Sequence, residues 1–490
     1  MAMTEEQIRT ITEDIVRSLL GNAPGNAAAA GPAGIAPVSP AASPRTSGAP
    51  SGRAWLCDTM AEAVENAGAS QRRLAQLSLE KRGELIAAMR KAGVDNAELL
   101  ARYAYEDTGY GHIEDKIKKN LLAANHTPGI EDLETEAHTG DRGMTIMERA
   151  PFGVIGSITP STNPTATIIN NAISMIAAGN GVVFNPHPSA KRASLEAMRI
   201  LNEAIVKAGG PPCLIASIKE PSLESGQALM EHPDVPLLSV TGGEAVVKVA
   251  MKSGKRVIAA GPGNPPVIVD DTADIQEAAK KIVDGASFDN NVLCVAEKEV
   301  FAFSNIVEKL LTEMEKAGAF RIYGADVDRV LRTVLIEKNG GYLINRKYVG
   351  RNASHILRES GVAFSGEPRL VIALVDRNHP FIMTEMLMPV LGVASVNNID
   401  EAVEEAFRAE QGCKHSAIMH SANVHNMSKA ARRMNTTIFV KNAPSYCGLG
   451  YDAEGCATFT IATPTGEGIT SARTFTRYRR CVLYGDFRIV

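Results

Sequence analysis

From Gly153 onward, the sequence alternates short apolar runs with longer segments of helical character. Residues 154–158 and 182–184 are apolar and β-prone, and between them lie a helical segment at 165–178 and a Gly-Asn-Gly stop. Two strands joined through a helix form a βαβ unit, which requires parallel strands. Further strands at 214–216, 237–240 and 267–269 alternate with helices at about 190–207, 222–231 and 244–252. The pattern predicts an α/β fold with a doubly wound sheet of the kind that binds nucleotides.

The composition limits the classes of function. The chain has 490 residues, 45% hydrophobic and 22% charged, which is typical of a soluble globular protein with about three domain-sized units. Its net charge of -4 gives no general attraction to nucleic acid or anionic lipid, so we expect neither as a partner. No apolar run approaches the ~20 residues of a membrane-spanning helix. Seven cysteines lack CxxC or Cys/His spacing, which predicts no metal site and a reducing, cytosolic setting.

The first 53 residues differ from the rest of the chain. Ile8, Ile11, Ile15 and Leu19 recur at helical spacing, so residues 1–21 are predicted to form a short amphipathic helix. Residues 22–53 are almost wholly Ala, Pro, Gly and Ser, a composition typical of a disordered linker. Two interpretations stay open: a docking peptide that binds a groove on another protein, or a helix that packs on its own domain or on an oligomer partner.

Taken one at a time, the motifs that follow the strands carry little information. No GxGxxG follows the first strand, so the usual dinucleotide fingerprint is absent. Asn163 before Pro164 is a common pairing at a helix start. Thr241-Gly242-Gly243 is a strand-to-helix turn whose glycines permit close backbone approach. Each has an ordinary structural explanation.

The order of the motifs along the chain is more informative. Residues 55–490 resemble the aldehyde dehydrogenase superfamily, whose cofactor and catalytic segments match six motifs in order: ITPSTNP (158–164), GNGVVFNPHP (179–188), VTGGEAV (240–246), AAGPGNPP (259–266), SFDNNVLC (287–294) and TEMLMPVL (384–391). More narrowly, SFDNN, IEDKIKKN (113–120) and TPTGEGITSARTF (463–475) resemble the coenzyme A (CoA)-acylating aldehyde dehydrogenases of bacterial microcompartments.

The resemblance implies a domain organisation and a location. It implies an NAD-binding domain at 54–258, an α/β catalytic domain at 259–440, and a C-terminal segment at 441–490 with an oligomerisation arm that builds a homodimer or homotetramer. It also makes the N-terminal helix an encapsulation signal that binds shell proteins through residues 1–20. The expected location is the lumen of a bacterial microcompartment within the cytoplasm.

The resemblance also assigns the chemistry. Cys294 matches the nucleophile that attacks the aldehyde, and the amide of Asn163 with the Cys294 backbone N–H matches the donors that stabilise the oxyanion. Ala259 occupies the place where hydrolytic members carry a carboxylate that activates water. A thiol is the better nucleophile without that base, so CoA is the expected acyl acceptor. His415 matches a histidine of other acylating enzymes and either assists the thiol or is structural.

The cofactor segments carry over in the same way. Glu385 matches the glutamate that holds the nicotinamide ribose, and the lysine that contacts the adenosine ribose in many hydrolytic members is missing, with His187 as a substitute donor. This departure leaves the preference between NAD and NADP open. The expected cofactor-binding residues are Thr159, Pro160, His187, Thr241, Gly242, Gly243, Ala260 and Glu385.

The predicted function is NAD-dependent oxidation of a short aliphatic aldehyde, acetaldehyde or propionaldehyde, to its acyl-CoA by a ping-pong mechanism. The alternatives are a hydrolytic aldehyde dehydrogenase that gives the free acid, and a protein that is primarily a microcompartment cargo or scaffold component. Chain length of the aldehyde is not fixed by the sequence.

Overall fold

The computed structural model describes residues 55–338 and 340–490. The amphipathic helix predicted at 1–21 and the linker predicted at 22–53 lie outside these residues.

The strands and helices of the described residues are numbered in chain order. The strands are β1 (Leu56–Cys57), β2 (Glu136–Gly140), β3 (Gly143–Pro151), β4 (Val154–Thr159), β5 (Gly181–Pro186), β6 (Ile215–Ile218), β7 (Leu237–Thr241), β8 (Arg256–Ala260), β9 (Pro266–Val269), β10 (Glu299–Phe303), β11 (Ala319–Arg321), β12 (Leu335–Lys338), β13 (Gly341–Ile344), β14 (Leu370–Leu374), β15 (Val390–Val396), β16 (Ser416–His420), β17 (Ile438–Lys441), β18 (Ile461–Ala462), β19 (Gly468–Ile469) and β20 (Thr476–Tyr484). The helices are α1 (Met60–Leu74), α2 (Leu79–Asp95), α3 (Ala97–Thr108), α4 (Ile113–His126), α5 (Pro164–Ala177), α6 (Lys191–Lys207), α7 (Leu223–Glu231), α8 (Glu244–Met251), α9 (Ile275–Ser287), α10 (Val307–Lys316), α11 (Ala325–Val334), α12 (Ala353–Glu359), α13 (Pro380–Met383), α14 (Ile399–Ala409) and α15 (Val424–Met434). Short 3-10 helices occur at 130–132, 188–190, 288–291, 346–348, 445–449 and 472–475.

The first sheet has six parallel strands in the order β1-β6-β5-β4-β7-β8. After β4 the chain adds strands first on one side and then on the other, so the direction of winding reverses between β4 and β7. Every residue of α5 is buried, because this helix packs between the sheet and neighbouring helices. The predicted α/β fold with a doubly wound parallel sheet is confirmed.

The second sheet has seven parallel strands in the order β11-β14-β15-β10-β9-β16-β17. The strand predicted at 267–269 is present as β9, but it belongs to this sheet and does not continue the first. An apolar run of four residues has the same local pattern in either sheet, so its partner strands could not be read from the sequence. The predicted boundary between 258 and 259 falls inside β8.

A third sheet joins distant parts of the chain. Strands β2, β3 and β20 pair antiparallel, and β20 pairs with β3 along its whole length, from Thr476 opposite Pro151 to Tyr484 opposite Gly143. The residues of β20 after Thr476 are all exposed. Segment 136–151, which lies within the predicted NAD-binding domain, thus forms one sheet with the C-terminal segment.

Candidate active site

The predicted cofactor residues of the first sheet meet at one edge. Thr159 ends β4, Thr241 ends β7 and Ala260 ends β8, and these parallel strands are neighbours, so their carboxyl ends lie side by side. The backbone N–H of His187 donates to the carbonyl of Thr159 at 3.1 Å, and that of Gly242 donates to the carbonyl of Ala260 at 3.3 Å. The edge includes the reversal point between β4 and β7, which is where open α/β sheets bind ligands.

The turn after β7 leaves room for close approach of a ligand. Gly243 is the N-cap of α8, and a Cβ placed on it would meet nothing within 4 Å. A Cβ on Gly242 would lie 2.7 Å from Cγ1 of Val246, so a side chain there would disturb the first turn of the helix. The unpaired N–H groups of a helix start attract anions such as phosphate. Pro160 follows β4 on the same edge and is partly buried.

A short connector links the two sheets at the site. Residues 261–265 of AAGPGNPP run from the carboxyl end of β8 to the amino end of β9. Cys294, Glu385 and His415 each precede a strand of the second sheet, namely β10, β15 and β16. The candidate site therefore lies where the carboxyl edge of the first sheet meets the amino edge of the second.

The loop before Cys294 has an unusual backbone. Asp289, Asn290 and Asn291 have φ values of 48°, 52° and 65°, and all three are at most 2% exposed. Asp and Asn are the non-glycine residues that adopt this left-handed conformation most readily. Asn290 Nδ2 donates to the carbonyl of Gly350 at 2.9 Å, and Asn291 Nδ2 donates to the carbonyl of Ala286 at 2.8 Å. The residues of DNN thus tolerate the left-handed backbone conformation, and their side chains anchor the loop through hydrogen bonds.

Cys294 is partly buried and packs against the main hydrophobic core. Burial, and then the negative charge of Glu385, raise the pKa of the Cys294 thiol to about 11, while Lys298 and the backbone N–H groups of Cys294 and Val295 oppose the shift. Lys298 is 1% exposed, and its ammonium donates to the carbonyl oxygens of Asn291 at 2.9 Å and Leu293 at 3.2 Å. A buried cation therefore holds the loop that presents the thiol.

Gly263 brings three candidate groups together. A Cβ on Gly263 would lie 2.8 Å from Cγ of His415 and 3.1 Å from the carbonyl oxygen of Cys294. Its backbone N–H donates to the carboxylate of Glu385, which is partly buried. Burial raises the pKa of Glu385, and Lys298 and this N–H lower it. The predicted residues Cys294, Glu385 and His415 all surround one glycine of the connector.

His415 is 1% exposed, and its Nδ1 pairs with Oγ of Ser416 at 2.9 Å. Its Nε2 has no hydrogen-bond partner among the described residues. Burial, and then the charge of Lys298, lower the pKa of His415 to about 4, so the ring is neutral near pH 7. A neutral imidazole with a free nitrogen can accept a proton.

Asn163 occupies the N-cap position of α5, but its side chain makes no capping hydrogen bond. Instead, Nζ of Lys119 donates to Oδ1 of Asn163 at 2.6 Å. Asn163 Nδ2 contacts only Oγ1 of Thr162, at 3.3 Å, among the described residues. The ordinary capping explanation for Asn163 is therefore wrong for its side chain.

Ala259 faces away from the thiol. Its methyl group is buried in the cluster that contains Val240 and Val257, whereas Ile258 belongs to the cluster against which Cys294 packs. Because side chains alternate along a strand, Ala260 shares the face of Ile258. A carboxylate at position 259 would be directed into the core. Ala260, which faces the other way, has no carboxylate, so this strand end supplies none to the site.

Sequence reasoning missed three buried charged residues. Lys116 and Lys119 of α4 both contact the carboxylate of Asp289, and all three are at most 3% exposed. The resemblance covers the segments IEDKIKKN and SFDNN but assigns no role to their charges. The signal was available in part, because Lys116 and Lys119 are spaced to share one helix face.

Comparison with known proteins agrees with this geometry. The sequence model of the aldehyde dehydrogenase family matches residues 38–449. The chain belongs to the aldehyde dehydrogenase family. An acetylating acetaldehyde dehydrogenase of Bilophila wadsworthia (strain 3_1_6) is 49% identical over 452 residues, which cover 91% of this chain and 93% of that protein.

Solved structures of this family are also similar. Propionaldehyde dehydrogenase of Rhodopseudomonas palustris, with bound CoA and an acylated cysteine, has a TM-score of 0.86 and 44% identity, covering 88% of this chain and 98% of that chain. A propionaldehyde dehydrogenase from the Clostridium phytofermentans fucose utilisation bacterial microcompartment has a TM-score of 0.87 and 45% identity, covering 89% and 100%.

The described residues contain neither a candidate membrane span nor a candidate metal cluster. None of their helices combines the length and apolar character needed to cross a membrane. No group of three or more His, Cys, Asp or Glu side chains in the same residues is arranged to hold a metal ion.

Proposed function

We propose that this chain oxidises a short aliphatic aldehyde, acetaldehyde or propionaldehyde, to its acyl-CoA with reduction of NAD+. The observation that carries the proposal is the position of Cys294, on an anchored loop beside a strand end without a carboxylate. The acylated cysteine and bound CoA of the R. palustris relative support the same chemistry.

The first half of the reaction is carbon–sulfur bond formation. The Cys294 thiolate attacks the aldehyde carbon, and the carbonyl electron pair moves to oxygen to give a thiohemiacetal oxyanion. Asn163 Nδ2 and the Cys294 backbone N–H are the donors for that oxygen. Loss of hydride from the same carbon leaves a thioester on Cys294. Burial raises the pKa of the Cys294 thiol to about 11, and the nearby charge of Lys298 opposes that shift and so favours the thiolate.

The nicotinamide cofactor fits the edge of the first sheet. The open N-terminus of α8 at Gly243 suits the pyrophosphate, and Thr159, Pro160, Thr241, Gly242 and Ala260 lie at or next to the carboxyl ends of neighbouring strands on the same edge. Glu385, with a backbone N–H as its hydrogen-bonding partner, can still accept ribose hydroxyls. When bound, NAD supplies the hydride acceptor. The ring of exposed His187 accepts from Ser189, which fixes it beside β5 for the adenosine ribose.

The second half is acyl transfer to CoA. Water is a poor acceptor because Ala259 and Ala260 supply no base to activate it. The CoA sulfur attacks the thioester carbon and the Cys294 thiolate leaves, so one thioester replaces another. Nε2 of His415, which has no hydrogen-bond partner among the described residues, is the acceptor we propose for the proton of the CoA thiol, with CoA binding needed to raise the low pKa that burial gives this ring.

The test measures NADH, acyl-CoA and free acid in the same reaction. Purified protein is supplied with aldehyde and NAD+, with or without CoA, and Cys294→Ala is the control. We expect acyl-CoA in an amount equal to NADH, and only about one NADH per site when CoA is omitted, because the thioester then accumulates. Equal steady rates without CoA, with free acid as product, would favour the hydrolytic alternative. Two- to four-carbon aldehydes are then compared by kcat/KM.

The third sheet supports assembly as a homodimer or homotetramer. Tyr484, Val482 and Phe487 are 80%, 59% and 67% exposed in the single chain, which is unfavourable for apolar side chains so close together. Sedimentation velocity of the full chain and of a chain truncated after 475 tests this. A full-length monomer would exclude the proposal.

The N-terminal segment is proposed as an encapsulation signal, with the protein in the lumen of a microcompartment. The amphipathic pattern of residues 1–20 and the microcompartment origin of the C. phytofermentans relative support this. Deleting 1–53 is expected to abolish co-sedimentation with shell proteins and to leave acyl-CoA formation intact. Loss of catalysis with the tail would argue against separate roles.

A further inference from the structure

A buried charge network lies behind the candidate oxyanion donor. Lys116 and Lys119 of α4 are each 3% exposed, and Asp289 of the cysteine loop is fully buried. Lys116 Nζ lies 3.1 Å from Oδ2 of Asp289, and Lys119 Nζ contacts the same oxygen. The backbone N–H of His112 donates to the other carboxylate oxygen at 2.8 Å. Two segments about 170 residues apart are thus joined by one carboxylate.

Lys119 differs from Lys116 in one contact. Lys119 Nζ also donates to Oδ1 of Asn163 at 2.6 Å, and Lys116 has no such contact. An ammonium group has donors and no acceptor, so it can pair only with the oxygen of the amide. Asn163 Nδ2 must therefore face away from Lys119. An amide without this partner could rotate and direct its oxygen toward the reacting centre.

We propose that Lys119 is a positioning residue for aldehyde oxidation, because its ammonium, balanced by Asp289, holds Oδ1 of Asn163 and keeps Nδ2 directed at the developing oxyanion. The inference rests on the proposed role of Asn163. It gives a role to the IEDKIKKN and SFDNN segments, whose side chains meet at Asp289.

The protonation states agree with this arrangement. Burial lowers the pKa of Lys119 to about 8, and the charge of Asp289 opposes the shift. Burial alone raises the pKa of Asp289, but Lys116 and Lys119 hold it below its ordinary value. Near pH 7 Lys119 is thus mainly an ammonium group and Asp289 a carboxylate.

The experiment compares Lys119→Met with Lys116→Met. Each variant removes one of two ammonium groups and leaves Asp289 paired with the other, so the losses of folding stability should be similar. Only Lys119→Met removes the partner of Asn163. The readouts are kcat for acyl-CoA formation and the rate at which iodoacetamide alkylates Cys294, a displacement that forms no oxyanion. If either Met variant does not fold, Lys119→Leu and Lys116→Leu replace the pair, because leucine likewise has no donor for Asn163.

We expect Lys119→Met to lower kcat by about 10- to 100-fold, part of the ~100- to 1000-fold effect of losing an oxyanion donor. Lys116→Met should lower it by less than about 3-fold, and neither should slow alkylation by more than that. In an Asn163→Ala background, Lys119→Met should cause no further loss, because both changes remove the same contribution.

Two results would overturn the proposal. Equal kcat values for Lys119→Met and Lys116→Met would show that the network is merely structural. The same conclusion would follow if the variant with both Asn163→Ala and Lys119→Met lost kcat by the product of the two single losses, because the two changes would then act independently. The role of Asn163 is tested separately by Asn163→Ala alone. If that variant keeps full kcat, the proposed oxyanion donor is wrong and the role of Lys119 falls with it.

Discussion

Gly263 offers the sharpest test of how tightly the site is packed. It lies in the connector between the sheets, and an added Cβ would lie 2.8 Å from His415 Cγ, 3.0 Å from His415 Cβ and 3.1 Å from the Cys294 carbonyl oxygen. Its φ is outside the left-handed region, so alanine can adopt the same backbone. Gly263→Ala therefore tests the added methyl group alone.

The neighbours of that methyl group cannot withdraw easily. Ordinary carbon contacts begin at about 3.5 Å, so His415 or the Cys294 carbonyl must move by roughly 0.5 Å. His415 is 1% exposed, and its ring and backbone N–H are held at 2.9 Å by Ser416 and Glu410. Overpacking of this kind costs about 1–3 kcal/mol. A shift of about 1 Å in a reacting group can cost 100-fold, so we expect kcat to fall about 10- to 100-fold.

The assay is NADH formation at saturating NAD+ and CoA, with thermal unfolding measured on the same samples. Gly140→Ala is the control, because a Cβ there meets nothing within 4 Å and the φ is likewise ordinary. The control should match the original protein in both measurements. Full activity and unchanged stability in Gly263→Ala would refute the packed junction between His415 and Cys294.

Three further predictions concern titration and acyl transfer. Since the pKa of Cys294 is about 11, the rate of its alkylation by iodoacetamide should rise about tenfold per pH unit from pH 7 to 10. Lys298→Met should lower this rate at each pH, and a rate that levels off near pH 8 would contradict the raised pKa. Burial raises the pKa of Glu297 to about 7, so its contribution to stability, about 3 kcal/mol, is full below pH ~4.5 and lost as the pH rises through 7. Melting temperatures at several pH values should show this loss in the original protein and not in Glu297→Gln. His415→Ala should slow steady-state acyl-CoA formation and leave the first NADH burst intact, as measured by stopped-flow absorbance. An equal loss in the burst and in the steady state would contradict a role of His415 in CoA deprotonation.

The sequence was sufficient where local pattern decides structure. Apolar runs and helical periodicity between 154 and 251 predicted β4 to β7 and the helices between them, because each element is longer than the uncertainty of its ends. Motif order located Cys294 and Glu385, and the resemblance to acylating enzymes added His415; the structure brings the three together around Gly263. The resemblance supplied Thr159 and Thr241, and the topology explains why they lie close together, because neighbouring parallel strands place the residues at their carboxyl ends side by side.

What could not be predicted depends on contacts between distant segments. Asn163 had the sequence of an N-cap, yet its oxygen accepts from Lys119, which lies 44 residues earlier. The pairing of β20 with β3 is likewise not contained in either segment alone. The resemblance placed Ala259 where hydrolytic members carry a carboxylate, but the direction of its side chain depends on which face of β8 covers the core and could not be predicted.

The DNN segment shows how the loop before Cys294 is held in a strained backbone conformation. Glycine would adopt the three left-handed conformations with less strain, but it has no side chain to anchor the loop. Asp289 binds Lys116 and Lys119 of one helix, Asn290 donates to Asn352 at 2.8 Å, and Asn291 donates to the carbonyl of Glu297 at 2.9 Å. At about 0.5–1.5 kcal/mol per neutral hydrogen bond, and more for the charged ones, these anchors offset a strain of about 1–3 kcal/mol per residue. Because these anchors hold the loop on three sides, the reaction at Cys294 can be accelerated by the fixed position of the thiol and by the charges around it. No residue of the strand end activates water, so water does not compete with CoA for the acyl group.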